Sequence, residues 1–120
     1  MSKDLWKWNV VNRYADSIYY RISSSDFARM YACIRVVGFE GVSGTPVDAY
    51  IHINGSSQVK LLYPNYDAIG DRVQFYYSGL DIYLMVPSGS QMYAKIESYG
   101  GGVNIDNAVT LPTDAVRLAP

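Results

Sequence analysis

The chain has 120 residues, enough for one domain around one core. An apolar content of 49%, a charged content of 18% and a net charge of −1 exclude long disordered stretches and leave no basic footprint for nucleic acid. A single cysteine excludes an internal disulfide, and with a single histidine it leaves no zinc ligand set to assemble.

Twelve tyrosines against three phenylalanines point to many half-buried positions, as in a thin all-β domain. The chain opens on an alternating stretch, residues 5–10, read as a short strand or an extended arm. Trp6 and Trp8 share one side of it and need cover from this domain or a neighbouring subunit. The first twelve residues carry charges and no long apolar run, so no secretory leader is expected and synthesis in a cytoplasm is. No stretch approaches the ~20 apolar residues of a membrane helix, and no membrane insertion is expected.

A turn-rich segment at 12–16 leads to a strand at 17–22 and a loop at 23–26. Residues 29–37, RMYACIRVV, alternate cleanly: Met30, Ala32, Ile34 and Val36 point one way, Arg29, Tyr31, Cys33 and Arg35 the other. Residues 38–46 hold three glycines and a proline and read as a loop with Phe39 at its tip. Residues 47–53 and 57–63 flank Asn54, Gly55 and Ser56, a hairpin signal. A three-residue loop there sets Ile51 opposite Val59 and His52 opposite Gln58. Another loop, 64–70, carries Tyr66. Asp67 and Asp71 lack the spacing of a calcium loop.

Residues 72–97, RVQFYYSGLDIYLMVPSGSQMYAKIE, read as a three-stranded meander. Val73, Phe75, Tyr77, Leu80, Ile82, Leu84, Val86, Met92, Ala94 and Ile96 fall on one apolar face. A turn at Ser78 and Gly79 pairs Tyr77 with Leu80, and a five-residue loop at 86–90 pairs Leu84 with Met92, Tyr83 with Tyr93 and Asp81 with Lys95. The other face carries Gln74, Tyr76, Asp81, Tyr83, Met85, Gln91, Tyr93 and Lys95. Three glycines at 100–102 suit a sharp reversal or a close backbone approach. Short apolar pieces in 103–120 read as edge strands or a tail. With no amphipathic helix, the pattern is that of a single antiparallel β-sandwich, jelly-roll-like, with 1–16 and 103–120 as arms packing on it or on a neighbouring subunit.

No catalytic constellation emerges. Cys33 reads as an inert packed thiol and His52 as an outward side chain without a GxSxG nucleophile, so neither enzyme activity, nor a cofactor, nor a metal is expected. Binding or assembly remains. The candidate ligand-binding residues are Tyr76, Tyr83, Tyr93, Gln74 and Gln91 on the tyrosine face, with Phe39 and Tyr66, and alongside them Tyr99, in loops. Aromatic rings stack on sugar C–H surfaces while amides bond to hydroxyls; the same composition also serves a buried layer or a subunit contact.

The hairpin YIHINGSSQVKLLY, the run VQFYYSGLDIYLMVPSGSQMYAKIESYGGG, the tryptophans near the start and the strand MYACIRVV resemble the C-terminal domains of bacteriophage tail fibres and tailspikes, over roughly residues 28–102. The resemblance implies a virion location and a β-sandwich that forms a homotrimer at the fibre tip. It implies recognition of a bacterial surface polysaccharide or protein, or a trimerisation cap without a ligand. A stand-alone carbohydrate-binding module is a third expectation; such a module is usually monomeric.

Overall fold

In the computed structural model, residues 3–24, 31–44, 46–54, 58–62, 74–100, 103–107 and 110–118 are described. Every regular element among them is a strand: β1 (Lys3–Val11), β2 (Ile18–Ser23), β3 (Ala32–Glu40), β4 (Pro46–Asn54), β5 (Gln58–Leu62), β6 (Gln74–Ser78), β7 (Asp81–Val86), β8 (Gln91–Tyr99), β9 (Asn104–Asp106) and β10 (Val116–Arg117). They form two antiparallel five-stranded sheets, β1-β8-β3-β4-β5 (sheet A) and β10-β6-β7-β2-β9 (sheet B). The protein is a β-sandwich. The nesting of β1 with β8 in one sheet and β2 with β7 in the other is jelly-roll-like. A full jelly roll would send the chain across again after β3; here β3, β4 and β5 stay in sheet A.

Alternation builds the core. Ile34, Val36, Ala49, Ile51, Ile53, Met92 and Ile96 from sheet A meet Ile22, Phe75, Ile82, Leu84 and Val86 from sheet B, all fully buried. The radius of gyration, 13.3 Å, is close to the ~14 Å of a compact domain of this length. β1, β9 and β10 hydrogen-bond into the sheets of this same chain, so the segments expected to be arms supply sheet edges.

The expected meander does not form. β8 pairs with β1 and β3, and β7 pairs with β2 and β6. Residues 87–90 therefore cross between the sheets instead of turning within one. Leu84 and Met92 share the core from opposite layers, and Tyr83 and Tyr93 lie on opposite outer faces. The first turn also differs: Ser78 pairs with Asp81, Tyr77 with Ile82 and Tyr76 with Tyr83. Gly79, at φ +60, supplies the left-handed backbone of a tight Gly79-Leu80 loop. In the β4–β5 hairpin Asn54 pairs with Gln58, Ile53 with Val59 and His52 with Lys60. Both hairpins slip by two residues from the expected register, and a slip of two does not change which face a strand position belongs to.

Two crossovers, residues 12–17 and 87–90, run side by side and Asn12 joins them. Its side chain is 1% exposed. Nδ2 donates to the carbonyls of Val86 (2.8 Å) and Asp16 (2.9 Å), and Oδ1 accepts from the Tyr14 N–H at 2.9 Å. Its backbone N–H donates to the Ser90 carbonyl, and its carbonyl accepts from Gly89 N–H. The Ser88 hydroxyl adds a bond to the Tyr14 carbonyl at 2.6 Å. Asn12→Ala leaves the buried Val86 carbonyl and two further backbone groups without these partners. It should cost about 2–3 kcal/mol in urea unfolding. Ser90→Ala, in the same corner, removes a buried hydroxyl with no hydrogen-bond partner among the described residues. It should be neutral or slightly stabilising in the same assay.

Candidate functional site

The aromatic residues expected on one face divide between the two outer faces of the sandwich. On sheet B, directly paired residues form a row, Asp106–Arg21–Tyr83–Tyr76–Arg117. Tyr83 is 4% exposed and Gln74 8%. The Tyr76 hydroxyl donates to Gln74 Oε1 at 2.6 Å. Arg21 binds Asp106 Oδ2 through Nη2 at 2.6 Å and Nε at 3.1 Å. Burial pushes the Asp81 carboxyl up; Arg21 counters this and Asp106 adds to it. These tyrosine and glutamine groups are committed within the chain, and the closed row leaves little aromatic surface for a ligand.

Sheet A presents the more open arrangement. Phe39 is not at a loop tip. β3 runs on through Gly38 to Glu40, and Phe39 pairs with Pro46 on one side and Tyr93 on the other. The rings of Phe39 and Tyr93 lie 5.4 Å apart at 33°, within the range of favourable aromatic pairs. Phe39 is 47% exposed. The two rings floor a shallow depression of about 390 Å³ with Lys7, Asn9, Val37, Gly38, Ala94 and Lys95 around them. That volume lies in the lower part of the ~300–1,000 Å³ range of small-ligand sites.

The local backbone explains the depression. β3 and β8 come so close that a Cβ on Gly38 would overlap the Tyr93 carbonyl. Beyond β3 the chain turns through 41–44 around Glu40, whose side chain is fully buried. Glu40 Oε1 accepts from Ser43 N–H (2.7 Å), Ser43 Oγ (2.9 Å) and Val42 N–H (3.0 Å), and Oε2 from Gln91 N–H (3.1 Å). Gly41 N–H donates to the Gln91 carbonyl. The Gln91 side chain in turn accepts from the Tyr93 hydroxyl at 3.1 Å. One buried carboxylate thus fixes the turn beside Phe39 and the start of the strand that carries Tyr93.

About 20 Å along the same face, by strand rise, Tyr31, Ala32, Cys33, His52, Tyr99 and Gly100 line a second depression of about 240 Å³. Tyr31 stacks on His52 at 6.3 Å and 14°. Tyr99 ends β8 instead of lying in a loop, and its hydroxyl donates to Glu97. Gly100 packs against the Tyr31 carbonyl where a Cβ would collide, the close approach expected of the glycine run. Burial pushes the Cys33 thiol up, against the opposing effect of Arg35, which keeps it protonated at neutral pH. Between the two depressions Arg35 lies 4.8 Å over the Tyr50 ring and binds Asp48 with two 3.2 Å contacts.

Of the expected site residues, the fold brings Phe39, Tyr93 and Gln91 together on sheet A, and Gln74, Tyr76 and Tyr83 together on sheet B. Tyr66, like the acidic pair Asp67 and Asp71, lies outside the described residues. Lys7, Asn9 and Val37 join the sheet A site through the β1–β8–β3 pairing, which no local pattern announces. Among the described residues no group of three or more His, Cys, Asp or Glu is gathered as a metal set.

Glu40 makes the site's integrity depend on pH. Burial alone would raise its pKa. The hydrogen bonds from Ser43, Gln91 and Val42 outweigh this and hold it below the usual value of 4.5. A lowered folded-state pKa contributes stability that is full above the unfolded value and is lost as pH falls through the folded one. Glu40→Gln should therefore be less stable than the parent at pH 7, with the difference shrinking steadily below pH ~4.5. Thermal unfolding between pH 2.5 and 7 checks this; a constant difference across the range would contradict it.

No family model, no curated protein and no solved structure matches the chain.

Proposed function

We propose that this protein is a receptor-binding module from the distal end of a bacteriophage tail fibre or tailspike, and that it binds a bacterial surface polysaccharide as a homotrimer. Phe39 and Tyr93 carry this reading. Two large rings stand partly open on an outer sheet face, held by strands instead of mobile loops, with Asn9, Lys7 and Lys95 at their margin. Apolar ring faces suit sugar C–H surfaces and the surrounding amide and ammonium groups suit hydroxyls. Rigid placement of both rings lowers the ordering cost of binding a flexible chain. The tyrosine-rich β-sandwich and the resemblance of residues 28–102 to tail fibre domains support the same reading.

Assembly has its own support. β1 is nine residues long and, among the described residues, pairs on one side only, with β8. A long free edge is a ready site for strand addition or subunit contact. The same edge favours the second reading, a trimerisation cap without a ligand.

Light scattering combined with a bacterial polysaccharide array separates these readings. The adhesion module should be a trimer that binds glycan, and Phe39→Ala and Tyr93→Ala should each weaken binding about tenfold or more, ~1.4 kcal/mol, with the trimer intact. A trimer without glycan binding would support the cap. A monomer that binds would support a stand-alone carbohydrate-binding module.

A further inference from the structure

We infer that the glycan bound at the Phe39–Tyr93 depression is anionic, carrying a carboxylate or phosphate that sits between Lys7 and Lys95; this rests on the depression being the glycan site. The two lysines are directly paired across β1 and β8. Both are exposed, and they line the depression on the row next to Asn9, Tyr93 and Phe39. Paired side chains on one face have Cβ atoms only about 5 Å apart, so two ammonium groups can converge on one anion.

Like charges directly opposite each other on neighbouring strands are destabilising, and a solvent face ordinarily alternates their sign. Here the row reads Lys7, Lys95, Val37, Asp48. Its one acid, Asp48, is held by Arg35 at 3.2 Å. On the adjacent row Glu97 accepts from the Tyr99 hydroxyl. Neither lysine has an ion pair among the described residues. A chain of net charge −1 thus sets two cations with no ion pair among the described residues together at the margin of the Phe39–Tyr93 surface. A sugar ring on Phe39 and Tyr93 would place a charged substituent of that ring, or of the next residue, at the lysine pair. Charge complementarity then selects acidic over neutral polysaccharides.

The probe is an array of purified bacterial polysaccharides in three groups: uronate-bearing, phosphate-bearing and neutral. The strongest acidic hit is then titrated before and after its charge is removed. Carboxyl reduction to the alcohol serves for uronates and hydrogen fluoride treatment for phosphates, so the two arms identify which anion is read. Removing the charge should weaken binding at least tenfold. Lys7→Gln with Lys95→Gln should lower binding of the native glycan to the same level, and should abolish its dependence on salt between 50 and 500 mM. Both positions are exposed and the substitution relieves a like-charge pair, so the double variant should keep the parent melting temperature or raise it slightly. Hits confined to neutral glycans would overturn the inference. So would equal binding of the native and charge-free forms while Phe39→Ala abolishes both, a result that leaves the glycan site itself standing. If Phe39→Ala changes nothing, the site assignment fails and the inference falls with it.

Discussion

The corner at Asn12 is the constraint on which the rest of the sandwich depends. Two crossovers must leave opposite sheets and pass each other, and neither has strand neighbours to satisfy its backbone. One buried carboxamide supplies what is missing: both of its N–H groups and its oxygen are used, on three backbone groups in two stretches of chain. The cost of burying a polar group is offset only when it is fully hydrogen-bonded, and Asn12 meets that condition. The corner fixes where β8 enters sheet A, between β1 and β3. Residue 91, the first of β8, is also where the buried Glu40 carboxylate takes hold. The aromatic pair sits two residues further on. Core, crossover and candidate site are therefore links in one chain of contacts, and damage at the corner reaches the site through residues 90–93.

The tyrosine excess follows from the architecture. A two-layer sandwich has two outer faces and a thin core, so half of each strand's residues are neither deeply buried nor fully wet. Tyrosine fits that middle ground, with an apolar ring against the sheet and a hydroxyl that finds a partner. Tyr76, Tyr93 and Tyr99 each donate to an oxygen two residues away on their own strand, at Gln74, Gln91 and Glu97. The same motif recurs on both outer faces. The open depression arises where the pattern changes: Phe39 has no hydroxyl to place, and Gly38 lets β3 and β8 draw together beneath it.

The faces were legible in the sequence and the partners were not. Period-two alternation assigned Ile34, Val36, Ile51, Ile53, Phe75, Ile82, Leu84, Met92 and Ile96 to buried sides, and the structure buries them all. Alternation is silent about which strand lies alongside. Residues 82–86 and 92–96 present matching apolar faces whether they pair in one sheet or pack across two. The segment 87–90 therefore read as a hairpin when it is a crossover. The two-residue register slips have a related cause, since a slip of two leaves every face unchanged and only the turn decides it. Phe39 was singled out for its exposure, but proline and glycine content made a loop of what is strand. Lys7 and Asn9 carry no local signal at all. They reach the site because residues at opposite ends of the chain pair in one sheet.

The claim that joins fold to function is that the Phe39 end of the outer face of sheet A is where a glycan lands. Backbone amide shifts followed during titration with a bound bacterial polysaccharide test it without changing any residue. The account predicts that the largest shifts fall on Lys7, Asn9, Val37, Phe39, Tyr93 and Lys95. The amides of Arg21, Tyr76 and Tyr83 on the opposite sheet, and those of Tyr31, His52 and Tyr99 at the far end, should stay in place. Shifts centred on either of those groups, with the Phe39–Tyr93 depression unmoved, would contradict it.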